Sequence, residues 1–72
     1  MNKAYLLKLP LTNVGIFNFI KFCETNKISV YLSWQEEDMF DDILFIAVVA
    51  PIESQSILEG KYSNQIKAVS SI

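Results

Sequence analysis

Residues 28–50, ISVYLSWQEEDMFDDILFIAVVA, decide the fold. From Ile28 to Trp34, the apolar Ile28, Val30, Leu32 and Trp34 alternate with Ser29, Tyr31 and Ser33. A half-buried β-strand has this period of two, because successive side chains point to opposite faces of a sheet. Ile43 to Ala50 is apolar without interruption, too short for a typical buried helix and rich in β-branched residues. It reads as a central strand covered on both faces. The acidic stretch Gln35 to Asp42 is the expected connection between the two.

Working toward the N-terminus, Lys3 to Leu9 alternates Tyr5, Leu7 and Leu9 with Ala4, Leu6 and Lys8, then stops at Pro10. It reads as another strand, mostly buried on both faces, because proline cannot donate to a ladder. Thr12 or Asn13 offers a side-chain oxygen to cap a helix, and Ile16, Phe19, Ile20 and Cys23 follow at i, i+3, i+4 and i+7. That spacing predicts an amphipathic helix ending near Asn26. Phe17 lies at the border of its apolar face and Phe22 farther round, with Asn18, Lys21 and Thr25 toward water.

Toward the C-terminus, Pro51 ends the central strand, and Ile52 to Glu59 reads as a short helix with Gly60 as its terminator. Gln65 to Ile72 alternates weakly and ends in serines, as an edge strand does; without it the sheet would have three strands. The order β-α-β-β-α-β predicts an α+β fold, a single ferredoxin-like sandwich with a four-stranded antiparallel sheet and two helices on one face. Residues 1–72 then form one domain. That topology places the first and third strands centrally, and these are the two most apolar here. The expected core includes Leu6, Leu7, Ile16, Ile20, Val30, Leu32, Leu44, Ile46 and Val48.

Composition narrows the chemistry. The chain has 72 residues, 51% of them hydrophobic, a size at which large apolar side chains are left near the surface. A homodimer or a docking face is expected on that ground. All six basic residues are lysines, with no arginine or histidine, and the net charge is −2. Without guanidinium forks or a basic stripe, direct nucleic-acid binding is not expected. A single cysteine cannot form an intramolecular disulfide, and no apolar run reaches the roughly 20 residues of a membrane span. A cytoplasmic protein with no membrane association is the expectation.

Catalysis is not expected, and no catalytic residue is assigned. Without histidine there is no usual general base, nor a base for a nucleophilic serine or cysteine, and Cys23 sits on an apolar stripe where a thiol acts as a small core hydrophobe. With glycine only at positions 15 and 60, no phosphate loop or dinucleotide fingerprint can be written, so no cofactor is expected. One thiol and no imidazole exclude a Cys/His metal site. Five of the eight acids, Glu36, Glu37, Asp38, Asp41 and Asp42, fall within seven residues, but without the glycine and spacing of a calcium loop.

The same order of elements serves regulatory domains, RNA-binding modules, acylphosphatase-like enzymes and copper chaperones, so the fold does not fix the function. The leading expectation is a non-enzymatic, protein-binding module. Its acidic segment, with Tyr31, Trp34 and Phe40 as aromatic neighbours, engages another protein with a basic surface. A small inhibitor that competes with nucleic acid for its target, of the kind phages and mobile elements carry, has this character. The alternative is a small-molecule-responsive regulatory dimer that binds a metabolite near Asn13 to Ile16, where a strand hands over to a helix. There the simpler role of Asn13 is a cap, and that of Gly15 close packing.

Overall fold

Residues 1–37 and 42–72 are described in a computed structural model. The elements run β1 (Lys3–Pro10), α1 (Asn13–Thr25), β2 (Ser29–Glu37), β3 (Asp42–Ala50), α2 (Ile52–Lys61) and β4 (Ile66–Ser71). All pairings are antiparallel and the strand order is β2-β3-β1-β4, so β1 and β3 are central. This is the ferredoxin-like α+β fold, with β4 present as its fourth strand. Among the described residues no helix is long and apolar enough to cross a membrane.

The core lies between the helices and one face of the sheet. Tyr5, Leu7 and Leu9 of β1 and Ile46, Val48 and Ala50 of β3 form one buried cluster with Phe19, Phe22 and Cys23 of α1, Ile28, and Leu58 of α2. Both helices therefore cover the same face. Tyr62 closes the end of this layer, edge-on to Phe19 at 5.0 Å and to Phe22 at 5.2 Å between ring centroids.

The helix ends are set by local chemistry. Thr12 is the cap of α1, its hydroxyl oxygen accepting from the Gly15 amide at 3.1 Å. A Cβ on Gly15 would stand 2.8 Å from that oxygen, so the glycine makes room for the cap. At the other end Lys27 adopts φ 59°. The Ile28 amide reaches the Cys23 carbonyl at 2.8 Å and the Lys27 amide the Glu24 carbonyl at 3.4 Å, the pair of bonds that closes a helix through a left-handed residue. Helix α2 is tied to that corner by Ser54, whose hydroxyl donates to the Asn26 carbonyl. Gln55 donates to the carbonyls of Met1 and Ala50.

Several sequence expectations need correction. Val30 and Leu32 are not core: they are 45% and 55% exposed, and no residue of β2 is buried. Val30 stays on the helix side but lies on an edge strand, whereas Leu32 is turned to the other face by a bulge. Val30 pairs with Val48 and Leu32 with Ala47, so Tyr31 is an extra residue and the strict alternation from Ile28 to Trp34 is broken. Leu6 lies half-buried on the face away from the helices, and Ile16 and Ile20 are half-buried because α1 is rotated to bury Phe22. Gly60 does not terminate α2, which continues to Lys61 with Tyr62 as its C-cap. The acidic stretch is only partly a connection, since Gln35, Glu36 and Glu37 are strand residues and Glu37 pairs with Asp42.

Candidate binding surface

The sheet face turned away from the helices carries a run of apolar side chains that neither helix covers. Register partners on adjacent strands share a face, and the β1–β3 pairs Ala4 with Val49, Leu6 with Ala47 and Lys8 with Phe45 all lie on this side. β2 adds Leu32 opposite Ala47 and Trp34 opposite Phe45, while β4 adds Ala68 opposite Leu6 and Ser70 opposite Ala4. The central row, Leu32, Ala47, Leu6 and Ala68, is apolar throughout, the next holds Trp34 and Phe45 beside Lys8, and the row of Val49 and Ala4 ends in Ser29 and Ser70. Solvated faces of antiparallel sheets are ordinarily polar, with hydrophobic residues only on the side toward the core.

The bulge at Tyr31 creates this arrangement. By resetting the alternation it turns Leu32 and Trp34 away from the helices, leaving Val30, Ser33 and Gln35 on the helix side. Trp34 then stacks on Phe45 with centroids 5.3 Å apart and ring planes 12° from parallel. Such a pair contributes about 0.5–1.5 kcal/mol beyond its burial, yet Trp34 remains 39% exposed. Tyr31 is 81% exposed and with Ala4, Ala47, Val49 and Ile72 lines a shallow apolar depression. A second depression is lined by Ala4, Leu6, Ala47 and Ala68.

At one end of this face the apolar rows give way to charge. Glu36, opposite Ile43, is the acid on this face, whereas Glu37 and Asp42, register partners of each other, alternate onto the helix side; all three are exposed. Opposed like charges on neighbouring strands disfavour the pairing, and a nearby cation relieves them. Across the sheet at the same end a cleft is lined by residues of three strand ends, Lys8, Lys67 and Asp42 being its charged members. Of the residues singled out from sequence for partner binding, Tyr31, Trp34 and Glu36 come together along β2, with Glu37 and Asp42 at its end. Asp38, Phe40 and Asp41 lie outside the described residues. Leu6, Phe45, Ala47 and Val49 are half-buried residues of the open face, which periodicity alone assigns to the interior of a central strand.

Other polar groups serve the fold. Tyr5, 1% exposed, donates its hydroxyl proton to Glu59 at 2.5 Å, and Lys3 stands 4.0 Å from the same carboxylate. Burial, then the hydrogen bond and charge of Glu59, push the Tyr5 phenol up to about 12. Burial pushes the Cys23 thiol up to about 11, the behaviour of a core hydrophobe and not of a nucleophile. The Tyr62 phenol is raised by burial and secondarily by the charge that Cys23 acquires on ionising. At the strand-to-helix turn, Thr12 and not Asn13 is the cap, and the Ile16 amide bonds the Thr12 carbonyl at 3.0 Å. The turn proposed for a metabolite thus uses these amides internally. Compared with protein-family models, curated proteins and solved structures, the chain has no significant match.

Proposed function

We propose that this chain is a non-enzymatic binding module that buries its open sheet face against another polypeptide, with the acidic end of β2 and β3 directed at basic groups of that polypeptide. The observation that carries the reading is the continuous apolar face from Leu6 through Ala47 and Phe45 to Leu32 and Trp34. A domain of this size has every reason to solvate an unused face with polar residues, because exposed apolar patches promote non-specific association. Aromatic anchors next to small residues, with charges at the margin, are the composition of a contact surface. Glu36 on that face, with Glu37 and Asp42 on the other side of the same strand ends, adds a place where lysines or arginines are attracted, and long-range attraction of that kind chiefly speeds encounter.

Affinity capture with identification by mass spectrometry tests the reading. Wild-type protein should retain a polypeptide, this chain or another, that is lost when Leu32 or Trp34 is changed to Glu. Both residues are on an edge strand and exposed, so the fold should survive, which circular dichroism checks. Reversing Glu36, Glu37 and Asp42 to Lys should slow association by about tenfold at low salt and flatten its salt dependence. Equal capture by wild type and by both face variants refutes the proposal.

A further inference from the structure

We propose that the occupant of the open sheet face is a second copy of this chain, the two sheets stacking face to face about a two-fold axis that runs parallel to the strands between β1 and β3. This rests on the reading of the open face as a contact surface and names what covers it. Such an axis carries β3 of one copy over β1 of the other and β2 over β4, at equal heights along the strands.

The face is complementary to itself under that operation. Val49 of one copy falls over Ala4 of the other, and Leu32 over Ala68, so bulky side chains meet small ones. In the same row as Leu32 and Ala68, Ala47 lies over Leu6, again small against bulky, while at the far corner Ser29 falls over Ser70. One row farther, the Phe45 ring lies over Lys8, whose stem packs on an aromatic face while its ammonium lies near the ring. A two-fold axis perpendicular to the strands instead stacks each strand on its own copy. Through the row of Ala47 it sets small over small at Ala47 and Ala68 and bulky over bulky at Leu6 and Leu32, so the strand-parallel axis is the better fit.

Charge follows the same symmetry. Glu36 sits on the β2 side of the acidic end, and the axis carries it over the β1–β4 side of the other copy, where the cleft edged by Lys8 and Lys67 lies. Asp42 is also on that rim, so the lysines have an acid of their own, and two lysines leave a net positive cleft for Glu36. The basic surface sought for the acidic segment is then on this chain itself.

The area is sufficient. Strands about 4.8 Å apart and about 26 Å long give the four-stranded face a footprint of about 500 Å² per copy, or about 1,000 Å² for the pair before side-chain relief is counted. Specific interfaces begin near that size. The footprint is also about a tenth of the 4955 Å² accessible surface, the share a small protein gives to a stable contact.

Analytical ultracentrifugation of the full chain, with thiol cross-linking, tests the proposal. Wild type should sediment at twice the 8.2 kDa chain mass at micromolar concentration, and Ala47→Glu or Leu32→Glu should sediment as a monomer with an unchanged circular dichroism spectrum. Leu32 on an exposed edge strand keeps the test valid should Ala47→Glu fail to fold. Glu36→Lys and Lys8→Glu should each weaken the dimer a few-fold, and the double exchange should restore it. With Cys23 buried, a short bis-maleimide should link copies of the Leu32→Cys/Ala68→Cys double variant in pairs, each copy joined twice, and the single variants poorly. A wild-type monomer at 100 micromolar overturns the homodimer. If Leu32→Glu then still abolishes capture of a foreign polypeptide, the contact surface stands and only its occupant is wrong. A dimer indifferent to both face variants overturns the proposal as well, placing association at a sheet edge.

Discussion

Lys27 is held at φ 59° by the two amide bonds that close α1, a conformation that costs a residue with a Cβ about 1 kcal/mol and glycine almost nothing. Lys27→Gly should therefore raise unfolding free energy by about 0.5–1 kcal/mol, read by urea denaturation at unchanged m-value; a loss of stability would show that the lysine side chain contributes a contact worth more than the strain. Gly60 is the opposite case. It lies within α2, and a Cβ there meets nothing within 4 Å. Gly60→Ala should stabilise by about 0.5 kcal/mol, toward the lower end of the usual gain because the last turn of a helix frays. Neither effect is evident from sequence. A glycine after an apolar run commonly terminates a helix, yet Gly60 lies inside α2, and the left-handed residue that closes α1 is a lysine whose backbone is fixed by the chain reversal into β2.

At the scale of elements the decisive feature is the bulge in β2. Deleting Tyr31 should regularise the ladder without turning any neighbour over, because Val30 already pairs with Val48 and Leu32 with Ala47. The deletion variant should fold, and Trp34 should keep the near-ultraviolet signature of its stack on Phe45; a tryptophan transferred to the helix side would contradict the register. This bulge also shows where sequence reading stops. The apolar run Ile43 to Ala50 and the alternation in Lys3 to Leu9 are legible as central strands because burial on two faces demands apolar residues on both. The alternation of Ile28, Val30, Leu32 and Trp34 is equally regular, yet one inserted residue divides it between two faces, and period-two patterning carries no mark of that insertion. In α1 the stripe Ile16, Phe19, Ile20 and Cys23 misjudges the rotation because Phe22 is the ring that Tyr62 packs against. Of the candidate site, the acids and Tyr31 and Trp34 are visible in the sequence, whereas Leu6, Phe45 and Ala47 emerge only once the strand order shows that neither helix covers their face.

The whole molecule has a further property that follows from its buried acids. Tyr5, Cys23 and Tyr62 all hold their protons more tightly in the fold than in an open chain, with Tyr5 raised from 10.0 to about 12 and Cys23 from 9.0 to about 11. When folded-state values are raised, the unfolded chain releases protons first, so the stabilising contribution is complete below the unfolded values and is lost as pH climbs through the folded ones. Stability should therefore be level with respect to these groups from pH 6 to 8, begin to fall as pH passes 9 through Cys23, and fall more steeply between 10 and 12 as the tyrosines join. Denaturant titrations at pH 7.0, 9.5 and 10.5, at one fixed protein concentration so that association does not enter, measure the slope. Cys23→Ala should remove the loss between pH 9 and 10 while lowering stability at neutral pH through its smaller volume. Tyr5→Phe should reduce the loss above pH 10, at a neutral-pH cost of about 1 kcal/mol for the hydrogen bond to Glu59. If Tyr5→Phe leaves the alkaline slope as it is in the wild type, the phenol that resists ionisation is not in the core, and the assignment of the buried side of the sheet is wrong.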